Sequence, residues 1–277
     1  MIIKANAKIN IALNVIRKRD DGYHEMDMIM TPIDLHDTLH IETAKDDAFS
    51  SNIDMIFDES NTVVKALHVM RKAYPSIGHF HIHVEKRIPM QAGLAGGSAD
   101  GAAVIIAINK LCDLQLTEEA LFALGVKVGA DVPFCIANTL ARVQGIGEVI
   151  TPIDATLDIS GILVKPASGV STKDAFAGID FAKAVHPNID AIVKKMKMQD
   201  DTYLALLDNT LEQPSLSLNS DIKQVKQALE GYDFPVVLMS GSGSSVFALS
   251  KDKEALAKAK QELENTYDFV QLIELHK

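Results

Sequence analysis

The stretch Pro-Met-Gln-Ala-Gly-Leu-Ala-Gly-Gly-Ser-Ala-Asp, residues Pro89–Asp100, decides the fold because it joins a strand to a helix. The run Phe80–Val84 before it has a strand-like pattern, and apolar residues continue after it as a helix from Ala99 to Leu111. Glycines let a backbone approach an anion closely, and the unpaired N–H groups of a first helical turn point at it. On its own, the stretch fits a phosphate-binding loop and a tight strand-to-helix turn about equally well.

The spacing of the glycines excludes two familiar phosphate-binding patterns. The stretch is not G-x-x-x-x-G-K-[ST], because no lysine follows Gly96 and Gly97. It is not G-x-G-x-x-G either, because the glycines at positions 93, 96 and 97 have the wrong spacing for that pattern. Ser98 lies where the loop meets the helix, and from the sequence alone it is predicted to be the helix N-cap.

Four further segments favour the phosphate-binding interpretation: Ala7–Leu13, Arg19–His24, Gly129–Phe134 and Met239–Phe247. The chain resembles the GHMP kinase superfamily over nearly its whole length, and the three motifs of that superfamily match at Lys8–Leu13, Pro89–Ser98 and Ser240–Val246. Within it, Asp20–His24 and Gly129–Pro133 resemble the branch acting in non-mevalonate isoprenoid precursor synthesis. The activity implied there is ATP-dependent phosphorylation of the 2-hydroxyl of 4-diphosphocytidyl-2-C-methyl-D-erythritol.

The resemblance implies an α+β fold of two domains with the active site between them. Residues 1–154 would form a domain like ribosomal protein S5 domain 2, and residues 155–277 a ferredoxin-like domain. Alternating strands and helices after residue 160 suggest the second architecture independently. The patterns predict strands near 2–5, 8–17, 26–33, 38–42, 79–86, 141–143, 148–152, 161–165, 236–239, 246–250 and 269–274, and helices near 61–74, 99–111, 117–128, 172–176, 188–198, 200–207, 219–230 and 253–264.

The resemblance also implies the cofactors ATP and Mg²⁺ and a catalytic centre at Lys8 and Asp131. On the residues alone, Asp131 in Gly-Ala-Asp-Val-Pro is a helix-end cap, a turn residue or a general base. A free aspartate has a pKa of ~3.9, far below that of an alcohol. We therefore expect Asp131 to orient the substrate hydroxyl and accept its proton late, while Lys8 stabilises charge on the transferring phosphoryl. The residues implied at the nucleotide are Pro89, Gly93, Leu94, Ala95, Gly96, Gly97 and Ser98.

Substrate recognition is implied at two other segments. Tyr23 and His24 would bind cytosine by stacking and by a hydrogen bond to the base edge; otherwise they are an exposed turn aromatic and an ordinary histidine. Asn10 would lie near the erythritol, and Thr172 would face the substrate. The loop containing Gly241, Ser242 and Gly243 is either a flexible hairpin or a segment that closes on substrate. It has Ser244-Ser245 where the family often has Pro-Thr, so we expect this loop to be less stiff.

Composition limits the class of protein. The net charge of −10 argues against nucleic-acid partners, so a nucleotide site needs local cations, for which Lys8, Lys86 and Arg87 are candidates. No apolar run reaches the ~18 residues of a membrane span, and the N-terminus lacks a signal peptide's apolar core, so we expect a cytoplasmic protein. The sequence does not indicate an oligomeric state.

Other patterns have structural interpretations. His79, His81 and His83 alternate on one strand face without an acid or cysteine at matching spacing, so no metal site is predicted. Cys112 and Cys135 are interpreted as buried reduced thiols. Two alternatives to the implied activity stay open: a homoserine- or mevalonate-type kinase, against which Tyr23 and His24 argue, and a non-catalytic nucleotide-binding protein.

Overall fold

A computed structural model describes residues 1–276, and the chain divides into two compact units. The first unit comprises residues 1–7, 35–90 and 95–138; the second comprises residues 8–34, 91–94 and the described residues from 139 onward. Two long strands, β1 (Ile2–Lys18) and β2 (His24–Ala44), contribute residues to both units. The sequence prediction of two shorter strands in place of each is wrong. Strand β1 is continuous because residues 2–18 contain no glycine or proline. Strand β2 continues through Pro32 because this proline lies between residues 26–30 and residues 38–44, the segments that pair with β5 (Ala141–Gly145) and β4 (His79–Glu85).

The first unit combines a sheet with four helices. Its remaining elements are β3 (Ala48–Ser51), α1 (Thr62–Ala73), β4 (His79–Glu85), α2 (Gly96–Leu111), α3 (Glu118–Val128) and α4 (Val132–Ala137). Strand β4 runs antiparallel to β2 and parallel to β3. Its side chains alternate as predicted, so that Phe80, Ile82 and Val84 are buried. They pack with the apolar faces of α1 and α2 in one core.

Local signals explain where these helices begin and how closely they pack. Asn61 caps α1, because its Oδ1 accepts a hydrogen bond from the Val63 backbone N–H at 3.0 Å. Thr117 caps α3 in the same way, as the sequence predicts. Gly101 lies in the middle of α2, where a Cβ would stand 3.2 Å from Val128 and 3.3 Å from the Thr62 carbonyl oxygen. A close helix contact therefore explains this glycine.

The second unit is built around a four-stranded antiparallel sheet in the order β10-β7-β9-β8. Its elements after residue 139 are β5 (Ala141–Gly145), β6 (Val149–Pro152), β7 (Ser160–Lys165), α5 (Thr172–Ala177), α6 (Ile189–Lys197), a 3₁₀ helix (Asp201–Leu206), α7 (Glu212–Leu218), α8 (Ser220–Glu230), β8 (Val236–Met239), β9 (Val246–Ser250), α9 (Lys253–Leu263) and β10 (Phe269–Glu274). The strand order and intervening helices are ferredoxin-like, as predicted. Strand β1 also pairs with a distant segment, because the Leu13 N–H donates to the Asp208 oxygen and the Thr210 N–H to the Leu13 oxygen, both at 2.9 Å.

The sequence missed three short elements, β3, α4 and α7, whose four to seven residues are too few to show a clear period. Cys112 and Cys135, expected to be buried, are only half-buried. Within residues 1–276, no helix combines the length and the apolar character required to cross a membrane.

Candidate active site

The glycine-rich loop, residues Pro89–Ser98, leads into an uncapped helix. Ala95 has left-handed backbone angles (φ 57°, ψ 28°), and α2 begins at Gly96, with no side-chain hydrogen bond capping it among the described residues. The prediction that Ser98 is the N-cap is therefore wrong: Ser98 is the third residue of the helix. The turn at Ala95 starts the helix earlier than the apolar pattern indicates. In general, the N–H groups of a first turn without a side-chain cap suit an anion.

The first turn of α2 is packed too tightly for larger residues. A Cβ on Gly96 would lie 2.9 Å from Ile88 Cγ2, and a Cβ on Gly97 would lie 3.3 Å from Thr62 Oγ1. The Thr62 hydroxyl donates a hydrogen bond of 2.5 Å to the Gly97 carbonyl oxygen. A side chain at either position would therefore have to displace Ile88 or Thr62.

Asp131 lies in a turn that is close to Ser98. The Cβ position of Gly129, which precedes that turn, is 3.9 Å from Ser98 Oγ. Asp131 occupies the N-cap position of α4 and is half-buried, but its side chain makes no capping hydrogen bond. Of the two structural interpretations of Asp131, the turn residue is therefore confirmed, and the helix-end cap is not, because no side-chain capping bond is made. The structure places Asp131 in the first unit and Lys8 in the second.

In the second unit, three of the sequence motifs meet at one carbonyl group. Lys8 is 4% exposed, and its Nζ donates hydrogen bonds to Asn10 Oδ1 at 2.6 Å and to the Gly93 oxygen at 2.8 Å. The Ser240 hydroxyl donates to the same Gly93 oxygen at 3.0 Å. The Lys8 backbone N–H donates to the Leu94 oxygen at 3.1 Å. Strand β1, the glycine-rich loop and the loop after β8 are therefore fixed against one another.

Two glycines allow this close approach. Gly93 has φ +72°, and a Cβ there would lie only 2.1 Å from the Ser240 carbonyl oxygen. Gly241 has φ +59°, and its Cβ position is 3.3 Å from Lys8 Nζ and 3.4 Å from Asn10 Oδ1. Both positions need a residue without a side chain.

The segment Ser240–Ser245, which the sequence left open as a flexible hairpin, is buried and hydrogen-bonded. The Ser244 hydroxyl donates to the Ser168 oxygen at 2.8 Å, and the Ser245 N–H donates to the Ala92 oxygen at 3.2 Å. Of the two serines at the family's Pro-Thr positions, Ser244 is therefore hydrogen-bonded through its hydroxyl and Ser245 through its backbone. Ser242 Oγ lies 2.9 Å from Thr172 Oγ1 at the start of α5.

Tyr23 and His24 follow the turn at Gly22, which has φ +87°. Tyr23 is 58% exposed, whereas His24 is half-buried beside the α5 residue Phe176, with ring centroids 4.6 Å apart. Burial, helped by the nearby Lys18 charge, lowers the pKa of His24. A neutral imidazole has one donor and one acceptor nitrogen, as base-edge recognition requires. Helix α5 connects this histidine with the Ser240–Ser245 segment.

One lysine that was expected to neutralise nucleotide phosphates is paired with carboxylates of the protein instead. Lys86, a candidate for neutralising phosphates, has a side chain only 6% exposed and forms ion pairs with Asp37 and, at 2.7 Å, with Asp100. It therefore does not offer a free charge to a ligand. No group of three or more His, Cys, Asp or Glu side chains within residues 1–276 is arranged to hold a metal ion.

Sequence reasoning missed Asn209. This residue is 3% exposed, and its Nδ2 donates hydrogen bonds of 2.8 Å to both the Met239 and the Gly241 oxygens. It thereby fixes the start of the Ser240–Ser245 segment. The polar run Asp208-Asn209-Thr210 between leucines was the available signal, but its partners lie about 30 residues further along the chain.

Comparisons with known proteins agree with this geometry. Residues 61–139 match the model for the GHMP kinases N terminal domain, and residues 182–268 match that for GHMP kinases C terminal. The chain is 38% identical to a 4-diphosphocytidyl-2-C-methyl-D-erythritol kinase of Shouchella clausii (strain KSM-K16), over 99% of this chain and 93% of that protein. A protein of the same name from Clostridium beijerinckii is 40% identical over 91% of each chain.

Solved structures show the same likeness. A crystal structure of 4-(cytidine 5'-diphospho)-2C-methyl-D-erythritol kinase matches with a TM-score of 0.84 and 28% identity over the full length of both chains. A homoserine kinase from Cytophaga hutchinsonii has a TM-score of 0.76 and 19% identity, covering 98% of this chain and 94% of the other, a likeness of fold. The chain therefore belongs to the GHMP kinases, and within them to the family of 4-diphosphocytidyl-2-C-methyl-D-erythritol kinases.

Proposed function

We propose that this chain transfers the terminal phosphoryl group of ATP to the 2-hydroxyl of 4-diphosphocytidyl-2-C-methyl-D-erythritol, in non-mevalonate isoprenoid precursor synthesis. The observation that carries the proposal is the convergence on the Gly93 carbonyl oxygen, where Lys8 and Ser240 both donate hydrogen bonds. The three family motifs therefore contact one another at this carbonyl group. Relatives that are 36–40% identical over more than 90% of this chain are named for this activity.

The nucleotide phosphates would bind at the glycine-rich loop and the first turn of α2. Two observations support the fit: the helix start has no side-chain cap, and it contains two glycines, of which Gly96 has a Cβ position only 2.9 Å from Ile88 Cγ2. Bound Mg²⁺ would neutralise phosphate charge. Because no three-acid cluster exists within residues 1–276, we propose that phosphate oxygens supply most of its ligands.

We assign the chemistry to Lys8 and Asp131. Asn10 and Gly93 hold the Lys8 ammonium in a buried position, where a cation stabilises the charge that develops on a transferring phosphoryl group. Asp131 is half-buried at the start of α4, and a carboxylate there suits orienting the 2-hydroxyl and accepting its proton late.

Substrate recognition would divide between the two ends of α5. Tyr23, exposed and ready to stack, and the neutral His24 would bind the cytosine. Thr172 and residues 241–243 would contact the rest of the substrate, with Asn10 near the erythritol. We also keep as proposals a cytoplasmic location and a domain boundary near residue 154, which lies between the two matched family regions.

A coupled assay that follows ADP release from the full chain tests the function. The acceptors are the cytidine-diphosphate methylerythritol, homoserine, mevalonate and none. Turnover with the cytidine compound alone is expected. Turnover with homoserine or mevalonate instead would identify a different kinase, and ATP binding without turnover on any acceptor would indicate a non-catalytic nucleotide-binding protein.

A further inference from the structure

A buried cluster of three charges lies beneath the phosphate-binding helix. Lys86 Nζ donates hydrogen bonds to Asp37 Oδ2 and, at 2.7 Å, to Asp100 Oδ2. The Lys86, Asp37 and Asp100 side chains are 6%, 0% and 2% exposed. Burial by itself would lower the pKa of Lys86, but the two carboxylates outweigh it and raise that pKa, so the side chain remains an ammonium.

The cluster ties the end of strand β4 to the first turns of α2. Asp37 Oδ1 accepts the backbone N–H groups of Arg87 at 2.6 Å and Ile88 at 2.9 Å, which fixes the chain as it leaves the strand. Asp100 is the fifth residue of α2. Lys86 is therefore the link between a fixed strand end and the helix.

The same lysine lies directly under the first residue of that helix. The Cβ position of Gly96 is 3.5 Å from Lys86 Nζ and 2.9 Å from Ile88 Cγ2. A displacement of the ammonium or of the strand end would therefore shift Gly96, whose N–H belongs to the uncapped turn.

Stability alone does not account for such a cluster. Buried ion pairs are often no more stable than well-packed apolar residues of the same volume, because desolvating the charges costs as much as their attraction returns. Here one buried oxygen, Asp100 Oδ1, has no hydrogen-bond partner within residues 1–276, which adds a further cost. The arrangement is better explained by the geometry that it imposes.

We infer that Lys86 is a positioning residue which, through Asp37 and Asp100, holds the first turn of α2 in the geometry that binds the nucleotide phosphates. The inference rests on the proposed function of that turn. It predicts an effect on nucleotide affinity that is separate from stability and from affinity for the acceptor substrate.

The decisive variant is Lys86→Met/Asp37→Asn/Asp100→Leu, which removes the link without leaving an unpaired buried charge. The asparagine at position 37 keeps an Oδ1 that can accept the Arg87 and Ile88 N–H groups. Calorimetric titration with MgATP should show affinity at least tenfold weaker, while KM for the cytidine substrate changes less than twofold and the melting temperature is kept. Asp100→Asn retains an acceptor oxygen for Lys86, and it should bind MgATP within threefold of the unsubstituted protein.

Asp47→Ala is the matched control in the same unit. Asp47 accepts two hydrogen bonds from Arg71, at 2.7 and 2.9 Å, and one from the Phe80 N–H at the other end of β4. This control should lower the melting temperature and leave MgATP affinity unchanged. If the folded triple variant bound MgATP with normal affinity, and the wild type bound MgATP and turned over, the inference alone would be overturned. A wild type that does not bind MgATP would overturn the proposed function as well.

Discussion

Replacing Gly93 with alanine should disable the site by separating two loops. An alanine at φ +72° costs roughly 1 kcal/mol of backbone strain. The larger effect is steric, because the new Cβ would lie 2.1 Å from the Ser240 oxygen. With non-bonded atoms most favourable at about 3.5 Å, the Ser240 carbonyl must retreat by about 1.4 Å. A misplacement of about 1 Å costs on the order of 100-fold in rate, so kcat/KM should fall about 100-fold.

Steady-state kinetics with ATP and the cytidine substrate measure this loss, and thermal unfolding shows whether the variant is folded. Gly78→Ala is the control, since Gly78 has φ +78° but nothing within 4 Å of its Cβ position. It should show the backbone strain as a lower melting temperature, with kcat/KM unchanged. If folded Gly93→Ala retained near-normal kcat/KM, the convergence of motifs at this carbonyl would not be the catalytic arrangement.

Four further substitutions test individual residues. Lys8→Ala should lower kcat more than it raises either KM, because its charge matters most as phosphoryl charge develops. Asp131→Asn should fold and bind ATP but lower kcat by orders of magnitude, as steady-state kinetics and calorimetry can show. His24→Ala should raise KM for the cytidine substrate by about 5- to 150-fold, the cost of ~1–3 kcal/mol for a lost buried hydrogen bond, with little change for ATP. Burial raises the pKa of Asp100 from 3.8 to about 7. Its stabilising contribution is therefore complete below about pH 4 and has been lost once pH has risen through 7, so Asp100→Asn should gain melting temperature relative to wild type as pH rises from about 4 to 7.

Each of these has an outcome that contradicts it. A change confined to KM in Lys8→Ala would make the lysine a ground-state binding residue. Normal turnover in folded Asp131→Asn would remove that carboxylate from the mechanism. Equal changes in both KM values for His24→Ala would show that the histidine does not recognise the base. A melting difference for Asp100→Asn that stays constant with pH would mean that the carboxyl does not titrate in this range.

Local patterns predicted the elements whose signals are local. Helix α1 followed from the Asn61 cap and the apolar spacing that begins at Val63, and β4 followed from its alternation. The start of α2 did not, because glycines are poor helix formers and the turn depends on left-handed angles at Ala95, a residue that rarely adopts them. The four-stranded sheet was predictable because alternating strands and helices restrict its topology.

The candidate site was predictable as a set of motifs but not as a set of contacts. Lys8 and Asn10 are two residues apart, so their proximity follows from the strand. Their connection to Gly93 and Ser240 depends on pairings 85 and 230 residues apart. Lys86 is the clearest case of a contact that the sequence did not predict. Its charge suggested that it neutralises phosphates, but it pairs with Asp37, which lies 49 residues earlier in the chain.

The pairing of Leu13 with Thr210 sets the earliest time during synthesis at which β1 can complete its contacts. These residues are 197 positions apart, and ribosomes add about 5–20 residues per second, so about 10–40 s pass between their syntheses. Throughout that interval Leu13, which is buried in the folded chain, lacks these hydrogen-bond partners. The start of the protein therefore emerges from the ribosome long before the segment that pairs with it has been made.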